Sequence, residues 1–398
     1  MDSKTLGGIF LVVGISIGAG VLALPITTAE VGFFPTVLLL LGCWLLMTVN
    51  SLLILETNLW FSENSNLVSM AKVTLGPLGA VVAWVCYLLL FYSLLAAYIS
   101  AGTDLSVNFL GLFSITIPEK PAACLFTLLF AIIVYQGTST IDRVNKLLVI
   151  MKFISFFALI SLVLPHVKYN FLAEGNVKAF LSPLMVIITS FGFASIIPSL
   201  RSYFHGDAEQ LVKVIVIGSL IPLFLYIIWE LTILGALPLQ GSNGLEKVVA
   251  AGTTSSLIFS LKNLIGSHWI TSSSSLFSGI CVTTSFLGVG LALSDFLADG
   301  LQLRKKGLSN LWIYLLTYLP PLLAVLYYPT AFIKALSYAG TFCTILLAVL
   351  PGLMVWRGRY QKKIASGFQL PGGRTALSII FLTSLIIAGI GLYQELGL

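Results

Sequence analysis

Apolar residues in this chain run in long blocks of about 18 to 25, separated by short polar interruptions. Each block is long enough to cross roughly 30 Å of hydrocarbon as a helix. Eleven blocks are predicted as spans, at about 6–29, 34–58, 79–108, 121–137, 144–165, 181–203, 210–234, 271–299, 311–328, 330–354 and 376–394. The alternating segments of about ten residues that build a membrane β-barrel are not seen. The pattern therefore predicts an all-α polytopic membrane protein. The first block has only Lys4 before it, no small-residue cleavage site after it, and another span at once, so it reads as a retained helix.

That first block contains an irregularity. "GISIGAG", Gly14–Gly20, places three glycines in seven residues, which weakens a helix where lipid most favours one. Three readings compete. G-x-S-x-G frames a nucleophilic serine in hydrolases, but there it needs a strand–turn–helix setting with a His and an acid. His166, His205 and His268 instead fall at span ends or in loops on both sides of the membrane. Gly14-x-x-x-Gly18 could be a helix-packing face, which leaves Ser16, Gly20 and Pro25 unexplained. The third reading is a discontinuous helix, tolerated at membrane depth only where free backbone groups line a polar cavity. It predicts a matching break in the other half of the chain. Five spans later "TSFGFASIIPSL", Thr189–Leu200, sets Gly192 between Ser190 and Ser195, and Pro198 closes it as Pro25 closes the first. Paired interruptions of this kind point to a transporter site holding a small polar solute.

Composition adds limits. Of 398 residues 58% are hydrophobic and 9% charged, more apolar surface than a soluble chain of this length can hide. The five cysteines sit singly inside spans, with no C-x-x-C or Cys/His cluster, so neither a disulfide framework nor a metal site is expected. The net charge of +6 comes from Lys and Arg spread over short loops, which fits membrane topology and not nucleic-acid binding. With the N-terminus in the cytoplasm, fifteen of these cations fall inside and six outside, so the N-terminus is placed inside. Arg304–Lys306 and the Arg357–Lys363 cluster read as anchors on anionic lipid head groups. The longest loop, about 237–270, falls outside and reads as linker or, alternatively, as a lid.

"SIGAGVLALP" (Ser16–Pro25), "SFGFASIIPSL" (Ser190–Leu200), "WELTILG" (Trp229–Gly235) and "TSFLGVGLALSDFLAD" (Thr284–Asp299) together resemble the bacterial aromatic amino acid permeases, which are tyrosine-specific, tryptophan-specific or broader. Within that family the chain looks most like the tyrosine permeases. The resemblance covers nearly the whole chain. It implies the leucine-transporter-type fold: two inverted five-helix repeats (about 6–165 and 181–354), with broken first and sixth helices, plus one extra helix at about 376–394. It also implies proton-coupled uptake across the bacterial cytoplasmic (inner) membrane. Carried over, the first break supplies Ser16, Gly18, Ala19 and Gly20, and the sixth supplies Ser190, Phe191, Gly192, Phe193 and Ser195. The helix N-terminus made by the first break suits a substrate carboxylate. Carbonyls before Gly192 suit the ammonium. Tyr98 on the third span is a candidate gate or carboxylate partner, or an ordinary packing tyrosine.

Ionisable residues inside spans are candidate machinery because they are costly there. Lys152 lies eight residues beyond Val144 in the fifth span, with Asn145 and Ser155 on its face. In related proton-coupled carriers a lysine on this helix stands where sodium binds, and a partly buried amine can gain and lose a proton in a cycle. A lysine snorkelling to the inner surface is the competing explanation. Thr284 and Ser285 match positions that bind sodium in sodium-driven relatives, which keeps sodium coupling open as an alternative. Glu230, beside Trp229, is a second candidate proton site, although a hydrogen-bonded structural role suits it better; Glu56, Asp295 and Asp299 need only solvated or ion-paired roles.

Together these readings give a proton:aromatic amino acid symporter, tyrosine favoured, working by alternating access and embedded in lipid, with no cofactor beyond the proton gradient. The rivals are sodium-coupled or exchange transport of another neutral amino acid, a membrane-embedded hydrolase using Ser16, and a non-transporting sensor or assembly subunit. The hydrolase lacks His and acid at the depth of Ser16, and the sensor lacks a soluble output domain.

Overall fold

The computed structural model describes residues 3–397 except 64, 112, 137, 242 and 267, with the side chains of 138–146, 265 and 268 also outside the described set. Among the described residues the chain is helical, without a strand. The first predicted span is two helices, α1 (Ser3–Ser16) and α2 (Gly20–Thr28), bent by 50° across residues 17–19. Then follow α3 (Phe33–Leu59), α4 (Leu67–Leu75), α5 (Pro77–Gly111), α6 (Glu119–Tyr135), α7 (Thr138–Val163) and the single turn α8 (Tyr169–Leu172). The sixth predicted span is α9 (Leu184–Ser190), a 3₁₀ stretch (Gly192–Ile196) and α10 (Ile197–Phe204). Beyond it lie α11 (Ala208–Ala236), α12 (Leu245–Ala251), α13 (Thr254–Ile265), α14 (His268–Gly300) and α15 (Gly307–Tyr327). The last are α16 (Phe332–Thr344) and α17 (Leu350–Trp356), joined by the π turn Ile345–Val349, and α18 (Gly373–Leu396).

Among the described residues nine helices are long and apolar enough to cross a membrane, ten when α1 and α2 count as one broken span. The remaining predicted span coincides with α6, which has 17 residues and so reaches only about 25 Å. The broken helices lie at the centre. Every residue of α2 is buried except Thr27, and α9 is buried over most of its length. α11 packs against α1 and α3, α14 against α7 and α5, and α16 against α5 and α9, so both breaks are enclosed by long spans. α15 and α18 lie at the periphery, with a minority of residues buried.

Local chemistry fixes the element ends. Asn66 and Ser69 form a reciprocal capping box on α4, Asp207 caps α11 through the Gln210 amide, and Thr253 caps α13 through Ser256. Pro198 sits in the first turn of α10, where its missing N–H has no helical partner to lose. Gly32, at φ +85°, allows a close crossing: a Cβ there would meet the Glu174 carbonyl at 2.2 Å. At this crossing Asn176 donates to the Glu30 carbonyl at 2.7 Å, tying the chain after α2 to the chain before α9.

Two sequence expectations are refined. The 237–270 segment is no plain linker: it carries α12 and α13, and Ser255 at the start of α13 donates its amide to Asp104 of α5 at 2.9 Å. The Arg357–Lys363 cluster also has protein partners. Arg357 and Lys362 donate to the Leu75 and Val73 carbonyls at the C-terminal turn of α4, and Arg359 pairs with the fully buried Glu56 of α3. Lys305 likewise pairs with Asp295 at 2.6 Å.

Candidate functional site

The unwound residues 17–19 expose backbone groups that a continuous helix would pair internally. Side chains from other helices take them up. Lys152 of α7, only 1% exposed, donates to the Ile17 carbonyl at 2.5 Å. The Ala19 amide donates to Ser285 Oγ of α14 at 3.0 Å, and Ser285 in turn meets the buried Tyr98 hydroxyl of α5. Tyr226 of α11 places its hydroxyl 2.5 Å from the Ser16 carbonyl and 2.9 Å from the Ser190 carbonyl, so one phenol touches the last residue of α1 and the last residue of α9. Trp229 Nε1, one turn further along α11, donates to the Val21 carbonyl at 2.9 Å.

The glycines are explained by approach and not by unusual dihedrals. A Cβ on Gly18 would lie 2.6 Å from Ser285 Oγ, and one on Gly20 would lie 2.9 Å from Ser190 Oγ. A Cβ on Gly14 would meet nothing within 4 Å, which removes the Gly14-x-x-x-Gly18 packing face. Gly192 has only Cys343 Sγ at 3.6 Å, an ordinary contact, so sterics do not require a glycine there.

The serines contribute less through their hydroxyls than the sequence implies. Ser16 Oγ donates to the Val12 carbonyl and Ser190 Oγ to the Val186 carbonyl, each at 3.0 Å within its own helix. Their carbonyls, held by Tyr226, face the junction instead. Ser195 Oγ donates to the Gly192 carbonyl at 3.2 Å, and both residues are partly exposed. Phe191 and Phe193 are fully buried, and the Phe191 ring meets the Tyr226 ring edge-on at 5.2 Å between centroids. Thr284 Oγ1 donates to the Cys281 carbonyl at 3.1 Å, one turn back in α14.

Lys152 does not snorkel. Its burial and its carbonyl partner place it at the first break, with Cys281 of α14 also facing it. Asn145, expected on the same face, lies outside the described side chains; Ser155 donates to the Lys152 carbonyl at 3.0 Å. Glu230 belongs to a separate place. It is fully buried, its Oε2 accepts from Thr28 at 2.7 Å at the far end of α2, and its Oε1 has no partner. The structure thus gathers Ser16, Gly18, Ala19, Gly20, Tyr98, Lys152, Ser190 and Ser285 at one junction and leaves Glu230 outside it. Tyr226 was missed by the sequence reading. The available signal was polar groups at 226, 229 and 230, which share one helical face of an otherwise apolar span.

Apolar helices wrapped around a broken helix whose carbonyls and amide are held by buried side chains define an integral membrane protein with an interior polar junction. The chain belongs to the tryptophan/tyrosine permease family, whose model matches residues 1–391. It is 35% identical over 392 residues to the tyrosine-specific transport system 1 of Haemophilus influenzae, covering 98% of this chain and 96% of that one. The tyrosine-specific transport system 2 of the same organism is 32% identical over 391 residues, covering 97% and 96%. Its tryptophan-specific transport protein is 33% identical over 407 residues, covering 97% and 95%. The protein is thus a membrane transport permease and not an enzyme, which removes the hydrolase reading of Ser16.

Proposed function

We propose that this protein takes up an aromatic amino acid, tyrosine favoured, across the bacterial cytoplasmic membrane by proton symport and alternating access. The tyrosine preference is supported by the 35% identity to a relative named tyrosine-specific. In this reading eleven spans form two inverted five-helix repeats, about 6–165 and 181–354, plus the helix at about 376–394, with the N-terminus in the cytoplasm. The substrate lies between the breaks, its carboxylate toward the amides that open α2 and its ammonium toward the carbonyls that end α9.

The observation that carries the coupling is the Lys152 contact with Ile17 O at 2.5 Å. An ammonium there puts a releasable positive charge against the Ile17 carbonyl, where a bound cation would otherwise sit, which favours proton over sodium. Protonated, it makes a charge-assisted bond that pins residues 17–19. When it gives up its proton that bond weakens, and α1 is released to swing about its 50° bend with α2. Ser285 holds the other side of the break through the Ala19 amide, and Tyr98 holds Ser285.

The test is uptake of labelled tyrosine, tryptophan and phenylalanine into proteoliposomes, with proton and sodium gradients imposed separately. Concentrative tyrosine uptake driven by the proton gradient alone is expected. Uptake driven only by sodium, or none of any aromatic amino acid, overturns the reading.

A further inference from the structure

Tyr226 faces a shortage of protons. Its hydroxyl carries one hydrogen and lies 2.5 Å from the Ser16 carbonyl and 2.9 Å from the Ser190 carbonyl, so it can donate fully to only one at a time. These oxygens end α1 and α9, where unpaired carbonyls concentrate the negative end of each half-helix. Ser16 O also accepts the Gly18 amide at 3.0 Å, so it keeps a donor when the phenol turns away. The site is fully buried, and the ring is held edge-on against Phe191, which leaves rotation of the O–H as the cheap motion.

We propose that Tyr226 is a two-position donor that answers to occupancy of the site. Resting on the reading that the substrate ammonium docks at the end of α9, the ammonium takes over Ser190 O and hands the phenol hydrogen to Ser16 O. When the site empties, the hydrogen returns to Ser190 O and the Gly18 amide alone serves Ser16 O. The next carbonyl along, Ile17 O, is the one Lys152 holds, so occupancy at the sixth break is passed to the backbone beside the coupling lysine. Tyr226 is therefore a positioning residue, acting on the substrate through Ser190 O.

The test uses the full-length protein in detergent and compares binding of tyrosine with binding of its deamino analogue, 3-(4-hydroxyphenyl)propanoate. In the wild type the analogue leaves no carbonyl bare, because Tyr226 returns to Ser190 O. In Tyr226→Phe the analogue leaves Ser190 O without the phenol donor, so the preference for tyrosine over the analogue should rise about tenfold. A second variant retains the hydroxyl: 3-fluorotyrosine placed at 226 is a stronger donor and should lower the preference below wild type. A hydroxyl that only supports the fold moves neither ratio. Preferences within about twofold of wild type in both variants overturn the proposal, as does an unchanged ratio in the fluorinated protein should Tyr226→Phe fail to fold. Failure of the wild type to bind any aromatic amino acid is a distinct result that defeats the substrate reading and this proposal with it.

Discussion

The Lys152 ammonium nitrogen lies 2.5 Å from the Ile17 carbonyl oxygen, joining α7 to the one stretch of the first span that is not helical. A buried cation hydrogen-bonded to a backbone carbonyl is an expensive arrangement in a membrane interior. It places the charge at the point where the first helix bends.

The steric fit of the break gives the first prediction. Gly18→Ala puts a methyl carbon 2.6 Å from Ser285 Oγ, so Ser285 must shift and the Ala19 amide loses its partner. Uptake should fall at least tenfold while membrane insertion is unchanged. Gly14→Ala meets nothing within 4 Å and should transport like wild type. Equal behaviour of the two variants in one uptake assay would contradict the account of the break.

Ser16 should matter less than its position suggests. Its hydroxyl is used by Val12 O inside α1, and its carbonyl is what meets Tyr226. Ser16→Ala is expected to change the apparent affinity for tyrosine less than about threefold, below 1 kcal/mol. A loss beyond tenfold in concentration-dependent uptake would show that the hydroxyl itself reaches the substrate.

These two residues show what was legible in the sequence. The first break could be read because three glycines in an apolar run contradict a lipid-facing helix, and the close approach of Ser285 and Ser190 supplies the reason. The sixth was legible from its position and its serines, but Gly192 is not sterically required, and the interruption is a 3₁₀ turn. Tyr226 and Trp229 were hidden, because an aromatic residue in a span reads equally as packing, and their carbonyl partners are set only by tertiary structure. The protein partners of the Arg357–Lys363 cluster were hidden for the same reason: carbonyls of α4 and the Glu56 carboxylate are brought to those cations only by tertiary structure.

Glu230 should be dispensable for coupling. Thr28 Oγ1 lies 2.8 Å from the Leu24 carbonyl and 2.7 Å from Glu230 Oε2. In Glu230→Gln the carboxamide N–H can donate to Thr28 while Thr28 donates to Leu24, so both bonds survive. Uptake driven by a pH gradient should stay within about twofold of wild type. Loss of gradient-driven accumulation, with exchange of labelled for unlabelled substrate intact, would move the proton site from Lys152 to Glu230.

The Glu56–Arg359 pair is a stability element. Glu56 is fully buried, Arg359 is 8% exposed on its side chain, and Glu56 also accepts the Leu370 amide at 2.9 Å. Glu56→Ala strands the guanidinium and should destabilise the protein by about 3 kcal/mol or more. A clear drop in the thermal unfolding midpoint in detergent is expected. Removing the exposed Glu209–Lys213 pair should leave the midpoint where it was. Equal midpoints for the two variants would contradict the assignment.

Coupling through Lys152 is most directly tested by Lys152→Arg in proteoliposomes, with and without an imposed pH gradient. An arginine keeps its charge across the physiological range, so it can hold Ile17 O but cannot release it by losing a proton. The variant should bind tyrosine and lose concentrative, gradient-driven uptake, and Lys152→Ala should lose it too. Accumulation by the arginine variant at the wild-type level under the pH gradient would contradict proton coupling through Lys152.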